Sequence, residues 1–202
     1  MMADLLVASQ NKGKIKEYAD LLADTPYNII GLADVGLGDM EVDETGTTFL
    51  ENAILKAQAY GKASGKLTLA DDSGLVVDAL DGRPGVYSAR YGKPEYDDAG
   101  RRAHLLDEMQ HVPVEERSAR FMCVIAIYDP STDATRDTFG TCEGTILQEE
   151  RNAGYGFGYD ALFLPEGYDQ SFGELEPDVK HRISHRGNAV KGVPALLESL
   201  SE

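Results

Sequence analysis

Cysteine is scarce in this sequence, and that scarcity limits the class of protein. The 202 residues include two cysteines, Cys123 and Cys142, with no Cys-x-x-Cys pair and no histidine at zinc-finger spacing, which argues against a zinc site. Both lie in strand-like runs, and the first residues lack the basic and apolar regions of a signal peptide. We therefore expect buried thiols rather than a disulfide, and a cytoplasmic protein.

Long apolar runs and positive charge are also scarce. No apolar run approaches the roughly 20 residues that cross a bilayer. Lysine and arginine together number 19 against 35 aspartates and glutamates, giving a net charge of −16 at pH 7. Such acidity argues against duplex nucleic acid and anionic membranes as partners. It leaves room for a nucleotide site, which needs only a local cluster of positive charge.

The remaining composition is that of one globular domain over residues 1–202, with 42% hydrophobic and 27% charged residues. Apolar spacing in the first half predicts a strand at 5–8, a helix from Ile15, a helix from Phe49 to about Tyr60, and strands near Thr68 and at 75–79. Thr48 and Glu51 form a capping box before the second helix. The acidic, glycine-containing segment 34–47 is predicted to be a loop with at most one short strand.

The second half continues this alternation of helices and strands. A helix is predicted at 97–109, a hairpin of strands at 119–128 and 135–146, and a loop of glycines and aromatic residues at 154–159 that leads into the apolar run 161–164. Helical signals follow Ser171-x-x-Glu174 and Pro177 and run through Arg186, and a last amphipathic helix holds Val193 to Leu200. The fold class is therefore α/β, with a mixed sheet and flanking helices.

Two adjacent carboxylates, Asp71 and Asp72, follow the short apolar run 67–70. We expect them at a strand end, the edge at which open α/β sheets bind ligands. Neighbouring carboxylates repel unless a cation or a shared proton offsets them. Asp71 would raise the pKa of Asp72, whereas a bound Mg²⁺ would lower it, and the sequence leaves the balance open. Mg²⁺ is commonly held by one or two carboxylates plus substrate phosphates. The alternative is a solvated turn, since Asp, Ser and Gly dominate turns.

Positive charge near a helix start forms a second candidate site. The loop 9–14 places Asn11, Lys12 and Lys14 at a predicted helix N-terminus, where backbone N–H groups attract anions. Lys56 shares a helix face with Asn52 and could also reach a phosphate. The acids Glu41, Asp43 and Glu44 precede that helix. A solvated loop with surface lysines and acids is the alternative.

Aromatic and basic residues in the last third form a third candidate site. Gly156-Phe157-Gly158-Tyr159-Asp160 lets a flat ring approach the backbone, and aromatic faces stack on nucleobases. Lys180 and Ser184-His185-Arg186-Gly187 supply donors that can read an oxygen on a base edge or bind an anion. The alternatives are core packing of the two rings and favourable positive charge at a helix C-terminus.

Taken in order, these motifs resemble one family, the noncanonical purine nucleoside triphosphate pyrophosphatases, along nearly the whole chain. The resemblance rests on Ser9-Gln10-Asn11-Lys12-Gly13-Lys14, Glu44-Thr45-Gly46, Phe49-Leu50-Glu51-Asn52-Ala53 with Lys56, Ala70-Asp71-Asp72-Ser73-Gly74-Leu75, Pro84-Gly85-Val86-Tyr87-Ser88-Ala89-Arg90-Tyr91, Gly156-Phe157-Gly158-Tyr159-Asp160 and Ser184-His185-Arg186-Gly187. Many members carry Thr-Gly-Asn where this chain has Ser9-Gln10-Asn11. The role of position 10 is therefore open.

The resemblance implies an elongated α/β fold of two lobes around a nucleotide-binding cleft, and a homodimer. It also implies Mg²⁺-dependent hydrolysis of inosine, deoxyinosine and xanthosine triphosphates to the monophosphate and pyrophosphate, which removes these nucleotides from the pool. No nucleic acid and no membrane partner is expected.

Site residues carry over by position in the same way. Asp72 resembles the general base and a metal ligand, and Glu44 resembles the second metal ligand, with Asp43 as the fallback. The residues expected to bind substrate are Ser9, Gln10, Asn11, Lys12, Gly13, Lys14, Lys56, Ser73, Phe157, Gly158, Tyr159, Asp160, Lys180, His185 and Arg186. Phe157 would stack on the base, and His185 and Arg186 would pair with its 6-oxo group, which adenine lacks.

Three other classes remain for comparison. A Maf-like pyrophosphatase resembles this fold but opens with a Ser-x-Ser-Pro-Arg-Arg loop, and a haloacid-dehalogenase-type phosphatase needs Asp-x-Asp-x-Thr; this chain has neither. A non-catalytic nucleotide-binding module would keep the loops but has no need of Asp72. Such a module would hold inosine triphosphate and release no pyrophosphate.

Overall fold

The structure, a computed structural model, describes residues 2–200, and six strands and six α-helices lie within this range. The strands are β1 (Ala3–Val7), β2 (Tyr27–Gly31), β3 (Thr68–Val77), β4 (Ser118–Asp129), β5 (Ala134–Ile146) and β6 (Phe163–Pro165). The helices are α1 (Lys12–Leu21), α2 (Phe49–Ser64), α3 (Asp98–Glu108), α4 (Pro177–Ile183), α5 (His185–Val190) and α6 (Val193–Leu200).

The strands form one mixed sheet in the order β2-β1-β3-β4-β5-β6. β1 pairs in parallel with β2 and with β3, and Val7 lies opposite Leu69 in the β1–β3 register. β5 pairs antiparallel with β6. The predicted α/β class with a mixed sheet and flanking helices is confirmed.

The chain forms two compact units, each with its own apolar core. The first comprises Met1–Asp72, Cys123–Gly140 and Gly187–Glu202, and the second comprises Ser73–Met122 and Thr141–Arg186. In the first unit Leu5, Tyr18 and Ile125 are among the fully buried side chains, and in the second Phe163 and Phe172 are. The predicted single domain of two lobes around a cleft stays a prediction.

α2 begins where its local sequence predicts. The Thr48 side chain accepts from the Glu51 backbone N–H, and the Glu51 carboxylate accepts from Thr48, which completes the capping box. The helix continues past the predicted end to Ser64, through Gly61, which packs against the Tyr128 ring. Gly65 ends it in the left-handed conformation that glycine adopts at low cost.

The two strands predicted near Thr68 and at 75–79 are wrong, because β3 is a single strand from Thr68 to Val77. Asp71 and Asp72 lie inside it rather than at its end, and both are buried. The Asp-Asp-Ser-Gly sequence suggested a turn, but lysines from distant segments neutralise the carboxylates and allow the strand to continue. The alternative of a solvated turn is therefore also wrong.

The prediction of helical structure through Arg186 is also wrong in detail. Ser184 adopts an extended conformation and separates α4 from α5. Glu174 does accept from the Ser171 backbone N–H, but this contact closes a turn, and α4 starts later at Pro177.

The sequence analysis also missed β2. The segment 34–47 forms no strand and begins within a short 3₁₀ turn at Leu32–Val35.

Both cysteines are free thiols, as expected, with Cys123 buried and Cys142 half-buried. Within residues 2–200, none of the helices combines the length and the apolarity needed to cross a membrane.

Candidate active site

The loop after β1 is shaped by its own side chains. The Asn11 side-chain oxygen accepts from the backbone N–H groups of Gly13 and Lys14, at 2.9 and 3.1 Å, and so caps α1. Ser9 Oγ accepts from the Asn11 N–H at 3.2 Å. The capped helix start directs Lys14 toward β3, where its Nζ lies 2.9 Å from Asp71 Oδ2.

Asp71 and Asp72 point to opposite faces of β3, because successive side chains alternate along a strand. Asp71 faces Lys14 and also lies 3.7 Å from the sulfur of Cys123 on β4. Asp72 faces α2 instead: Asn52 Nδ2 donates to its Oδ2 at 3.1 Å, and Lys56 Nζ lies 3.4 Å from its Oδ1. Each carboxylate therefore has its own lysine.

Lys56 joins Asp72 to the acidic segment. Its ammonium lies 2.6 Å from Glu44 Oε1 as well as 3.4 Å from Asp72 Oδ1. Glu44 is half-buried, whereas Asp43 is exposed, so the structure favours Glu44 over Asp43 as the partner of Asp72. We call Lys14, Glu44, Lys56, Asp71 and Asp72 the lysine–carboxylate cluster; it lies entirely in the first unit.

The protonation of this cluster follows from burial and charge. Burial raises the pKa of Asp72 above its ordinary value, Glu44 adds to the rise, and Lys56 and Lys14 oppose it. The expectation that Asp71 also raises the pKa of Asp72 stays a prediction. Burial alone would lower the pKa of Lys56, but Asp72, Asp71 and Glu44 outweigh burial and raise it.

A divalent cation fits the cluster only with help from a ligand. Within residues 2–200, no three His, Cys, Asp or Glu side chains are close enough together to hold a metal. Two carboxylates do converge on one cation, the Lys56 ammonium. Mg²⁺ commonly takes one or two protein carboxylates and completes its shell with water and phosphate oxygens. Glu44 and Asp72 are therefore a suitable pair for Mg²⁺ with a phosphorylated ligand.

Gln10 makes contacts that its sequence motif did not predict. Its Nε2 donates to the carbonyl of Met40 at 2.8 Å and to that of Gly38 at 3.3 Å. Tyr60 Oη donates to the same Met40 carbonyl at 2.8 Å. Gln10 thus ties the first loop to the segment that leads to Glu44.

Gln10 and exposed Lys12 also line a cavity of about 810 Å³ between α1 and β2. No residue of the lysine–carboxylate cluster lines this cavity.

A second cluster lies in the other unit. Lys180 Nζ pairs with Asp160 Oδ2 at 2.8 Å, and both side chains are almost fully buried. The same ammonium lies 5.1 Å from the centre of the Phe157 ring and 5.7 Å from that of Phe172. Asp160 Oδ2 also accepts from the Phe157 backbone N–H at 2.7 Å. We call Phe157, Asp160, Phe172 and Lys180 the aromatic–lysine cluster.

The remaining predicted residues of the second unit lie around its core. The His185 ring stacks on Phe121, with ring centres 4.7 Å apart, and Arg186 Nη2 donates to Ser73 Oγ at 2.9 Å. Tyr159 is buried and donates to the Ser88 carbonyl at 3.0 Å. Burial raises the pKa of the Tyr159 phenol, so it stays protonated. Tyr159 is thus a structural anchor of its loop.

Sequence analysis missed several residues that hold these clusters. Cys123 contacts Asp71 across two strands, and Asp98 and Arg102 on α3 both contact Gly158. No local pattern could have found these contacts, because each joins residues more than 50 positions apart. Asn52 was placed on the Lys56 face of its helix, and its contact with Asp72 agrees with that placement.

The fold and the two clusters define a mixed α/β protein whose buried lysines pair with carboxylates. Comparison with known proteins makes the assignment more specific. The Ham1 family profile matches residues 5–195, so the chain belongs to the Ham1 family.

Curated relatives and solved structures agree with this family. The chain is 43% identical over 199 residues to a dITP/XTP pyrophosphatase of Bacillus subtilis, covering 98% of this chain and 99% of that protein. It is 47% identical over 196 residues to a dITP/XTP pyrophosphatase of Desulforamulus reducens, covering 97% and 96%. A HAM1 protein from Coxiella burnetii superposes with a TM-score of 0.87 at 38% identity, covering 98% of this chain and 100% of that one.

Proposed function

We propose that this chain is a nucleoside triphosphate pyrophosphatase that hydrolyses noncanonical purine nucleotides, such as inosine, deoxyinosine and xanthosine triphosphates, to the monophosphate and pyrophosphate. Its relatives named dITP/XTP pyrophosphatase match over almost their whole length. The observation that carries the proposal is the position of Asp72, a buried carboxylate held between Asn52 and Lys56 in a cluster with two lysines.

Asp72 is the general base in this proposal. In the metal-free protein its pKa is raised, mainly by burial, which brings the carboxylate closer to the operating pH, whereas bound Mg²⁺ would lower that pKa. Asp72 takes a proton from water, and the water oxygen bonds to the α phosphorus. The bond between the α phosphorus and the oxygen that bridges to the β phosphorus breaks. Pyrophosphate then leaves with the electron pair of that bond.

Lys14, Lys56 and the capped start of α1 hold the triphosphate in this proposal. Phosphoryl transfer depends mainly on positioning and charge neutralisation, which two ammonium groups and a helix N-terminus supply. Glu44 and Asp72 are the residues that would hold Mg²⁺, and the bound ion would neutralise further phosphate charge. Gln10 is better explained as a tether for the Glu44 segment than as a phosphate ligand.

The aromatic–lysine cluster binds the purine. Phe157 supplies a half-buried ring face for stacking, which is worth roughly 1–3 kcal/mol per base. Lys180, His185 and Arg186 carry donors suited to the 6-oxo group of hypoxanthine and xanthine. Against adenine, which has an amino group there, these donors lack a partner, and such mismatches discriminate strongly.

We also propose a cytoplasmic homodimer without nucleic-acid or membrane partners. The free thiols and the net charge of −16 support the compartment and the absence of those partners. Sedimentation would test the dimer, with an expected species of twice the 21.9 kDa chain. A species at the chain mass at micromolar concentration would contradict it.

Asp72→Asn tests the catalytic assignment. We expect it to keep inosine triphosphate binding and to lose at least about a hundredfold in turnover, since general bases contribute on that order. Asp24→Asn, which changes an exposed acid of the same unit outside the lysine–carboxylate cluster, is the control and should stay near wild type. Near-normal pyrophosphate release by Asp72→Asn would remove Asp72 from the role of base.

A further inference from the structure

The loop that carries Phe157 has little regular structure of its own. Residues 151–158 form neither helix nor strand, and Gly154, Gly156 and Gly158 have φ of 97°, 76° and 58°. Glycines in such conformations lose much backbone freedom when they are fixed. Whatever fixes this loop therefore controls where the Phe157 ring lies.

Two side chains of α3 bind both backbone polar groups of Gly158. Asp98 Oδ2 accepts from the Gly158 N–H at 3.0 Å, and Arg102 Nη1 donates to the Gly158 carbonyl at 2.8 Å. Asp98 and Arg102 are four positions apart and so share one face of the helix. Gly158 directly follows Phe157, so this pair of contacts fixes the loop next to the ring.

We call Asp98 and Arg102 the clamp residues, and neighbouring side chains hold both of them in place. Arg102 Nε lies 2.9 Å from Glu150 Oε1, and the Arg102 side chain is only 15% exposed. Arg101 Nη2 donates to the other oxygen of Asp98 at 2.9 Å. On the N-terminal side of the Phe157 side chain, the Phe157 N–H donates to Asp160 Oδ2 at 2.7 Å. The loop is thus anchored on both sides of Phe157, once by Asp160 and once by α3.

We propose that Asp98 and Arg102 are positioning residues that preorganise Phe157 for base stacking. This inference rests on the proposed function. When a binding-competent conformation is populated only in part, the apparent affinity falls by that fraction. Loss of the clamp therefore weakens substrate binding and raises KM, while kcat, which depends on the cluster around Asp72, changes little.

The first test uses ligand-free protein and is independent of any activity. Arg102→Met keeps the stem and removes the guanidinium, and Arg120→Met is the matched control, since Arg120 pairs with Asp78 and Glu143 but not with this loop. We expect amide hydrogen exchange at 154–158 to speed up about tenfold in Arg102→Met and in Asp98→Ala. Asp98→Asn, which keeps an acceptor oxygen, should retain slow exchange. Wild-type exchange in both Arg102→Met and Asp98→Ala would overturn the clamp.

The second test follows the ring itself. The chain has no tryptophan, so Phe157→Trp gives a single tryptophan at the proposed stacking position, which can be excited selectively over the ten tyrosines. Inosine triphosphate should quench its emission, and adding Arg102→Met should weaken binding roughly tenfold while Arg120→Met does not. Faster loop exchange without weaker binding would overturn the positioning role and leave the clamp contacts intact. No quenching in Phe157→Trp itself would contradict base stacking at this position. That result would overturn both the proposed base site and the positioning role of Asp98 and Arg102, and would leave only their contacts with Gly158.

Discussion

At the scale of single residues, Lys56 has two roles in our account. Its ammonium lies between Glu44 and Asp72, the two carboxylates we assign to a metal ion. In ligand-free protein this lysine supplies the positive charge that the carboxylates require. The same side chain that binds phosphate in our proposal therefore also stabilises the site before a nucleotide arrives.

Lys56→Met should lower the free energy of unfolding of the metal-free protein by about 2 kcal/mol, because removing one partner of a buried pair leaves the other charge uncompensated. This value is below the usual range for buried pairs, since Glu44 keeps 24% of its side chain exposed. Urea unfolding at pH 7.5 in chelator is the measurement. Lys66→Met, which breaks a surface pair with Asp4, is the control and should cost clearly less, because solvent screens exposed pairs. Equal costs would contradict the special environment of Lys56.

Gln10 gives a second prediction at this scale. Gln10→Gly, which introduces the residue that many family members carry, removes two hydrogen bonds to the 38–40 carbonyls. We expect a cost of about 0.5–1 kcal/mol, because the contacts are exposed, and faster amide exchange at 38–44. Tyr60→Phe removes the other donor to Met40 and should add to the effect. If exchange in this segment does not change, Gln10 is not its tether.

At the scale of elements, neighbouring residues determine where α2 begins, whereas a distant side chain determines which residue fits in its interior. Its capping box was predicted from four residues, and the structure has both reciprocal bonds. Its interior glycine was not explained by local sequence. A Cβ at Gly61 would lie 2.4 Å from Tyr128 Cδ1, too close for the ring to stay where it is.

Gly61→Ala should therefore destabilise the protein. In an exposed helix interior the change gains about 1 kcal/mol, whereas overpacking costs about 1–3 kcal/mol. We expect a net loss of up to about 2 kcal/mol by urea unfolding. Repeating the change in a Tyr128→Leu background should reduce the loss, since the ring is the obstacle. A stabilised Gly61→Ala would contradict the packing described here.

At the end of α3, Glu108 forms hydrogen bonds whose contribution to stability depends on pH. Glu108 accepts from Arg83 Nη1 at 2.6 Å and from the Tyr91 hydroxyl. Burial raises the pKa of Glu108, but these two donors outweigh burial and lower it below its ordinary value. A lowered folded-state pKa stabilises the protein above the unfolded-state pKa, and this stabilisation is lost as pH falls through the folded-state pKa.

Glu108→Gln should cost about 1 kcal/mol at pH 7, and the difference from wild type should shrink as pH falls below about 4. Urea unfolding at pH 7 and at low pH measures the change. Glu115→Gln alters an exposed acid and should have an effect below about 0.5 kcal/mol at both values. A cost that is the same at both pH values would show that the carboxylate charge is not responsible.

At the scale of the whole molecule, sequence predicted the elements that depend on neighbouring residues. The start of α2, the hairpin of β4 and β5 and the amphipathic α6 follow from local spacing. β3 did not, because two buried aspartates look like a turn until Lys14 and Lys56 are brought to them from other segments. The break at Ser184 also escaped, since no glycine or proline marks it.

The site could be predicted as a set of residues but not as a set of contacts. Family motifs pointed to Lys14, Lys56 and Asp72, and the structure brings all three into one cluster. They did not indicate that Asp71 and Asp72 face apart, or that α3 holds Gly158. Such contacts depend on strand pleating and chain topology, which join residues far apart in sequence.

The most direct test of the account is pyrophosphate release with Mg²⁺ from inosine, xanthosine, adenosine, guanosine and thymidine triphosphates, measured side by side. The account predicts strong release from the first two and little from adenosine and thymidine triphosphates. Guanine also carries a 6-oxo group, so weak release from guanosine triphosphate would require a further contact near its 2-amino group. Release mainly from thymidine triphosphate would contradict it in favour of Maf-like chemistry. Binding of inosine triphosphate without any release would contradict it in favour of a nucleotide-binding module.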